Sequence, residues 1–192
     1  MRRPFLESAI DLSALSVRAD STVASTELER EVVNLFDELR DRLLRYVLGF
    51  RISGADAEEI VQEAFLSLFR HLQLGRSRHN LRGWLFRVVH NLALKKLSVD
   101  QRRPDRTSLD PEDSERHVAD AINPEEQAIV SQRQVRLLAT LNSLPVLDQR
   151  CLQLRAEGLR YREIAEVLGV SLGGVATLLA RSLSRLGRVS RR

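Results

Sequence analysis

Tyr161-Arg162-Glu163-Ile164-Ala165-Glu166-Val167-Leu168-Gly169-Val170-Ser171-Leu172-Gly173-Gly174-Val175 has a spacing that few pairs of helices share. Ala165 is small, as a residue must be where a second helix crosses close to it. Gly169, four residues on, can take the left-handed conformation that ends a helix. Ser171 is placed to cap the helix that follows. Ile164, Leu168, Val170, Val175 and Leu178 supply a small shared core. The pattern predicts a helix-turn-helix, whose second helix enters the major groove of duplex DNA. A plain helical hairpin has the same periodicity but no need of basic surroundings. On the second helix Ser171, Thr177, Arg181 and Arg185 are candidate groove or phosphate contacts. Phosphate contacts outnumber base contacts in most such interfaces.

The charge map agrees. Residues 127–192 hold 11 basic and 4 acidic side chains, a net of +7. Residues 100–126 hold 4 and 9, a net of −5, while residues 1–99 are nearly balanced with 15 and 13. A basic terminal unit behind an acidic tether points to nucleic acid at that end. Hydrophobic residues make up 43% of the 192, enough for a buried core, and aromatics only 5%. Abundant Leu, Ala, Arg and Glu favour helix over sheet. The expected fold is therefore all-α, with two small helical domains on a string. An extension at 1–27, mobile or weakly helical, precedes a helical bundle at 28–99. A flexible acidic linker follows at 100–126, where Pro104, Pro111 and Pro124 interrupt a charged, apolar-poor stretch. The helix-turn-helix domain occupies 127–192.

Three helices are predicted in the first domain. Leu28, Val32, Leu35, Phe36, Leu39, Leu43 and Val47 recur at helical steps before Gly49. A second helix opens at Asp56, with Glu59 imitating a capping box, and turns Ile60, Ala64, Phe65, Leu68 and Leu72 inward. A third runs from about Leu81 to Leu97. On it Trp84, Arg87, Asn91 and Lys95 stand three, four and four residues apart and share one stripe. Aromatics stack on bases, amides read their edges and cations hold phosphates, so the stripe suits single-stranded or distorted nucleic acid. Alternatively, Trp84 anchors the core and the rest is a solvated face.

Two stretches then bring a family into view: Asp56-Ala57-Glu58-Glu59-Ile60-Val61-Gln62-Glu63-Ala64-Phe65-Leu66 and Leu81-Arg82-Gly83-Trp84-Leu85-Phe86-Arg87-Val88-Val89-His90-Asn91-Leu92. With the Tyr161 segment they resemble regions two and four of sigma-70 family sigma factors of the extracytoplasmic-function group. The resemblance spans residues 28–188 and implies a promoter-recognition subunit, not an enzyme. It implies docking of Asp56, Glu59, Gln62 and Glu63 on a coiled coil in the clamp of the RNA polymerase largest subunit. It gives Trp84, Arg87, Asn91 and Lys95 the unwound minus-ten strand, with Asn91 at the position associated with a flipped base. The helix-turn-helix would read the minus-thirty-five duplex. The linker would thread toward the RNA exit path, where Asp110, Glu112, Asp113 and Glu115 would mimic nucleic-acid charge, and an anti-sigma factor is a usual partner in the group. Two departures stand out. Ala176, Thr177, Leu178, Leu179 and Ala180 occupy places that are usually basic or polar, which means fewer phosphate contacts and a shallower salt dependence. The loop Gly75-Arg76-Ser77-Arg78-His79 is more basic than usual.

The remaining features are sparse. Cys151 is the one cysteine, so no disulfide framework is possible and a reducing cytoplasm fits; it reads as a small core residue, with thiol sensing left open. His71, His79, His90 and His117 lack metal-ligand spacing, and no phosphate loop or nucleophile elbow exists. Neither metal, cofactor nor catalytic residue is expected. No stretch is apolar for the roughly 18–20 residues of a membrane span. Glu7 and Asp11 break the apolar run a secretion signal needs. Two rivals stand beside the sigma reading: a polymerase-independent helix-turn-helix regulator, and a sigma-like adaptor that binds polymerase without DNA.

Overall fold

The computed structural model describes the backbone of residues 12–100 and 134–190, and the side chains of 26–100 and 134–188. Helix α1 spans Leu12–Leu48 and buries Leu39, Leu43 and Val47 completely. It begins at 12, so the expected boundary at 27 falls inside a continuous helix. After Gly49 the chain doubles back to bury Phe50 and Ile52.

Helix α2, Gly54–Gln73, is capped by Ser53, whose hydroxyl oxygen accepts the Asp56 N–H at 3.2 Å. The capping residue therefore lies three positions before Asp56, where it satisfies a first-turn amide without a helical partner. Ile60, Ala64, Phe65, Leu68 and Leu72 are buried, as their spacing required. Helix α3, Leu81–Asp100, starts at Asn80. Asn80 sits at φ 53°, a left-handed conformation that Asn tolerates, and its side-chain oxygen accepts the Gly83 N–H at 3.1 Å. A Cβ on Gly83 would lie 2.4 Å from the Asn80 side chain, so glycine makes room for this cap.

Helices α1, α2 and α3 close around an apolar centre. Phe36 meets Phe65 edge-on at 5.0 Å between ring centroids. Tyr46, Phe50, Phe86 and His90 form a second aromatic knot, with Tyr46 5.4 Å from Phe50 and 5.7 Å from Phe86.

The C-terminal unit consists of α4 (134–142), α5 (Val146–Ala156), α6 (Tyr161–Leu168) and α7 (Leu172–Ser190). Gly169 ends α6 in the left-handed conformation, at φ 65° and ψ 31°, where an L side chain would be strained. The chain turns 101° between α6 and α7, within the helix-turn-helix range. Ser171 caps α7 by accepting the Gly174 N–H at 3.0 Å. Cys151, Leu154, Leu159, Ile164, Val167, Val175, Leu178 and Leu179 fill the centre.

The two units do not hang apart. Helix α6 packs on α3, and one continuous apolar cluster runs through both units. The expected linker begins at the last residue of α3; its residues 101–126, with the acids Asp110, Glu112, Asp113 and Glu115, lie outside the described residues, as does His117.

Candidate nucleic-acid interface

The stripe predicted on α3 is largely exposed. Arg87, Asn91 and Lys95 are exposed along one side of the helix, and Trp84 is half-buried at its head. The Trp84 ring lies 4.9 Å from that of His71 on α2, tilted 43°. Trp84 is thus a partial core anchor whose remaining surface lines a cleft shared with Arg160, Arg162, Glu163 and Glu166. The guanidinium of Arg87 and the ammonium of Lys95 have no ion pair among the described residues. Cations left unpaired beside an aromatic ring and an amide suit phosphate and base. The adjacent basic loop is partly committed, because Arg78 pairs with Glu31 at 2.8 Å.

On α2, Glu59, Gln62 and Glu63 are exposed on the side opposite the core, a polar face open to a partner. Asp56 differs from them. Its carboxylate accepts from Lys96 of α3 at 2.6 Å and from the Ser53 hydroxyl at 2.7 Å, tying α2 to α3. That hydrogen bond raises the Lys96 pKa above its ordinary value, against partial desolvation, with help from the charges of Asp56, Asp100 and Glu59.

Helix α7 is thinner in free polar groups than its sequence suggests. The Ser171 oxygen serves the cap, and the Thr177 hydroxyl donates back to the Gly173 carbonyl at 3.0 Å. Arg181 donates through Nε and Nη2 to Asp148 of α5, at 2.9 and 2.6 Å, a fork-to-carboxylate pair. Ser182 donates to the same carboxylate at 3.0 Å. Asp148 is 1% exposed. Burial pushes its carboxyl up, but the hydrogen bonds from Arg181 and Ser182 and the charges of Arg181 and Arg185 outweigh this and hold it below the usual carboxylate range. Arg185 is exposed and has no ion pair among the described residues. Asp148 has no local sequence signal, since its partner lies 33 positions away.

A seam between the units was equally invisible in the sequence. Glu157, just after α5, meets three arginines of the first unit. Its carboxylate accepts from Arg42 Nε at 3.3 Å and from Arg45 at 3.2 Å, while its carbonyl accepts from Arg42 and Arg82. Arg150 of α5 reaches into the aromatic knot. Its guanidinium carbon lies 3.4 Å from the centre of the Phe50 ring, and Nη1 donates to the Gly49 carbonyl at 2.6 Å. Beneath it, Tyr46 Oη and His90 Nδ1 share a 2.7 Å hydrogen bond. Burial and then the charge of Arg150 lower the His90 pKa to about 4, and burial raises that of Tyr46. Cys151 is fully buried, and burial with the nearby charge of Asp148 pushes its thiol up to about 11, which disfavours the reactive thiolate.

These features define a two-unit helical DNA-binding protein with an open aromatic-cationic stripe in one unit and a helix-turn-helix in the other. Residues 35–103 match the family model for sigma-70 region 2, and residues 134–186 match that for sigma-70 region 4. The chain is 30% identical over 160 residues to the ECF RNA polymerase sigma-E factor of Haemophilus influenzae, covering 80% of this chain and 85% of that one. It is 38% identical over 144 residues to the ECF RNA polymerase sigma factor SigE of Mycolicibacterium smegmatis, covering 73% of this chain but only 55% of that relative. The sigma factor RpoE of Bartonella quintana, solved with the anti-sigma factor NepR, shares the fold at a TM-score of 0.58 and 19% identity, over 82% of this chain and 97% of that one. CnrH, solved with the cytosolic domain of CnrY, does so at 0.53 and 21%, over 87% and 94%. The chain belongs to the sigma-70 family, in its extracytoplasmic-function group. It is a sigma factor, which binds RNA polymerase and directs it to promoters. Among the described residues, no single helix is long and apolar enough to cross a membrane.

Proposed function

We propose that this sigma factor docks on the largest-subunit clamp through Glu59, Gln62 and Glu63, and traps the melted minus-ten strand on Trp84, Arg87, Asn91 and Lys95. Asp56 assists docking indirectly, by holding α2 against α3 through Lys96. The observation that carries this reading is the unpaired, exposed stripe of α3 next to the equally open polar face of α2. Extracting a base from duplex costs a few kcal/mol. Stacking alone returns about 1–3 kcal/mol per base, so strand capture needs no bond-making chemistry. The protein acts in the cytoplasm and catalyses nothing itself. An anti-sigma partner is proposed by analogy with RpoE and its NepR complex.

In the other unit, α7 reads the minus-thirty-five duplex through few contacts: Arg185, the outer edge of Arg181, and the small side chains of Ala176, Thr177 and Ala180. A second reading has one observation in its favour. Because Arg181 is committed to Asp148 and its neighbours are apolar, the chain would bind polymerase as an adaptor with no minus-thirty-five readout. Run-off transcription with purified core polymerase and genomic fragments separates the two. Discrete promoter-specific transcripts support the sigma reading, and their absence supports the adaptor. Glu63→Arg tests docking in the absence of DNA: it should weaken co-purification with core polymerase, and unchanged assembly would overturn the docking face.

A further inference from the structure

Helix α7 divides along its length. From Leu172 to Ala180 no residue is charged, whereas Arg181, Arg185 and Arg188 follow in its second half. In a helix-turn-helix the N-terminal residues of the second helix meet the base edges, so the uncharged half is the half that reads. Leu172, Gly173, Ala176, Thr177 and Ala180 are all exposed there, at helical steps that put them on one face. Val175, Leu178 and Leu179 are turned into the core instead. Leu172 leaves 52% of its surface to solvent, an aliphatic side chain that the fold does not cover.

Hydrogen-bonded readout needs particular groups. Arg or Lys grips guanine, Asn or Gln grips adenine, and a carboxylate accepts from cytosine. Residues 172–180 hold none of these. The hydroxyls at this end are also committed. Ser171 accepts the Gly174 N–H at 3.0 Å, and Thr177 gives its proton to the Gly173 carbonyl at 3.0 Å, which leaves its γ-methyl as the group to project. Just beyond, the Nε–Nη2 edge of Arg181 is filled by Asp148. What the reading half offers is therefore methyl and methylene surface on short side chains, which lets the helix come close. In the major groove the matching feature is the 5-methyl group of thymine. The exposed Arg185 and Arg188 further along the helix supply the attraction to phosphate that seats it, so the surface fits duplex DNA better than an apolar protein partner.

We propose that α7 reads its duplex by thymine methyl groups, through Leu172, Ala176, Thr177 and Ala180, and not by hydrogen bonds to base edges. The inference rests on the assignment of α7 to the minus-thirty-five element and names what that helix recognises. The test alters the DNA first. Holoenzyme is assembled from the full chain and core polymerase, and its binding is measured on a promoter fragment recovered by run-off transcription. Deoxyuridine then replaces thymidine within the minus-thirty-five element only, which removes the methyl groups and keeps the pairing and every hydrogen-bonding group. Affinity should fall about fourfold for each methyl that α7 covers. The same number of replacements between the two elements should change nothing. Thr177→Ser keeps the hydroxyl bond to Gly173 and deletes the γ-methyl, so it should bring the thymine-to-uracil ratio about fourfold closer to one. Thr177→Val keeps the methyl and deletes the hydroxyl, so it should preserve the ratio. Equal affinity for thymine and uracil fragments would overturn the proposal while leaving the sigma assignment intact. A ratio lost in Thr177→Val and kept in Thr177→Ser would overturn it too, by making the hydroxyl the reader. A holoenzyme that forms no promoter-specific complex on either fragment would instead end the sigma reading, and this inference with it.

Discussion

Helices α3 and α7 each present an arginine, and the two are treated in opposite ways. In the first, Arg87 stands free on an exposed stripe supported by a rigid aromatic core. In the second, Arg181 is spent on Asp148, and its exposed neighbours Gly173, Ala176, Thr177 and Ala180 carry no charge, with Arg185 and Arg188 following only toward the end of the helix. A cation can bind phosphate or brace its own helix, but a fork already filled by a buried carboxylate has little left to offer outside. Under the proposed function, promoter discrimination would rest mainly on α3, with α7 contributing fewer contacts.

The largest expected effect is on the core that supports the stripe. Phe86→Ala removes a fully buried ring of the aromatic knot and should cost about 3–5 kcal/mol, read by denaturant or thermal unfolding. A cost below 1 kcal/mol would mean that the first unit is not the rigid one. Next comes the response to acid. His90 is neutral in the folded protein, with its pKa lowered to about 4 from an ordinary value near 6.5. The unfolded chain binds the proton first, so this contribution to stability is intact above about pH 6.5 and is lost progressively as pH falls through about 4. Asp148, also held low, adds loss in the same direction at lower pH. His90→Gln should flatten the melting-temperature profile between those limits; an unaltered slope would remove His90 as its source.

Asn91→Ala should reduce open-complex formation by the equivalent of about 1–3 kcal/mol if the amide reads a base, with polymerase assembly unchanged. Equal loss in both assays would end that role. Smallest is Arg185→Ala, which should lower the salt slope of duplex binding by about one unit and leave sequence preference unaltered. A change of preference would show that Arg185 contacts a base and not only phosphate, and the contrast between α3 and α7 would fail.

The helices were legible because their apolar faces repeat over many residues: that of α2 landed inward residue for residue, and Gly169 and Ser171 took the turn and cap their types suggested. What the sequence could not show were pairings between distant positions. Asp56 imitates a cap but serves Lys96, 40 residues away. Arg181 reads as a DNA contact, although its partner is Asp148, 33 positions away. The closure of the units has no local signature because Glu157 and Arg42 lie 115 residues apart, and a string of two domains is the natural expectation when composition dips between them.

Cys151 has a practical consequence. As the chain's single thiol, sealed in the core and poorly ionised, it does not compete with a thiol placed on the surface. Cysteines introduced at exposed sites such as Ser98 and Arg188 are therefore open to selective maleimide chemistry with the native residue kept in place. Distances within a working transcription complex are thus measurable on an otherwise unaltered protein.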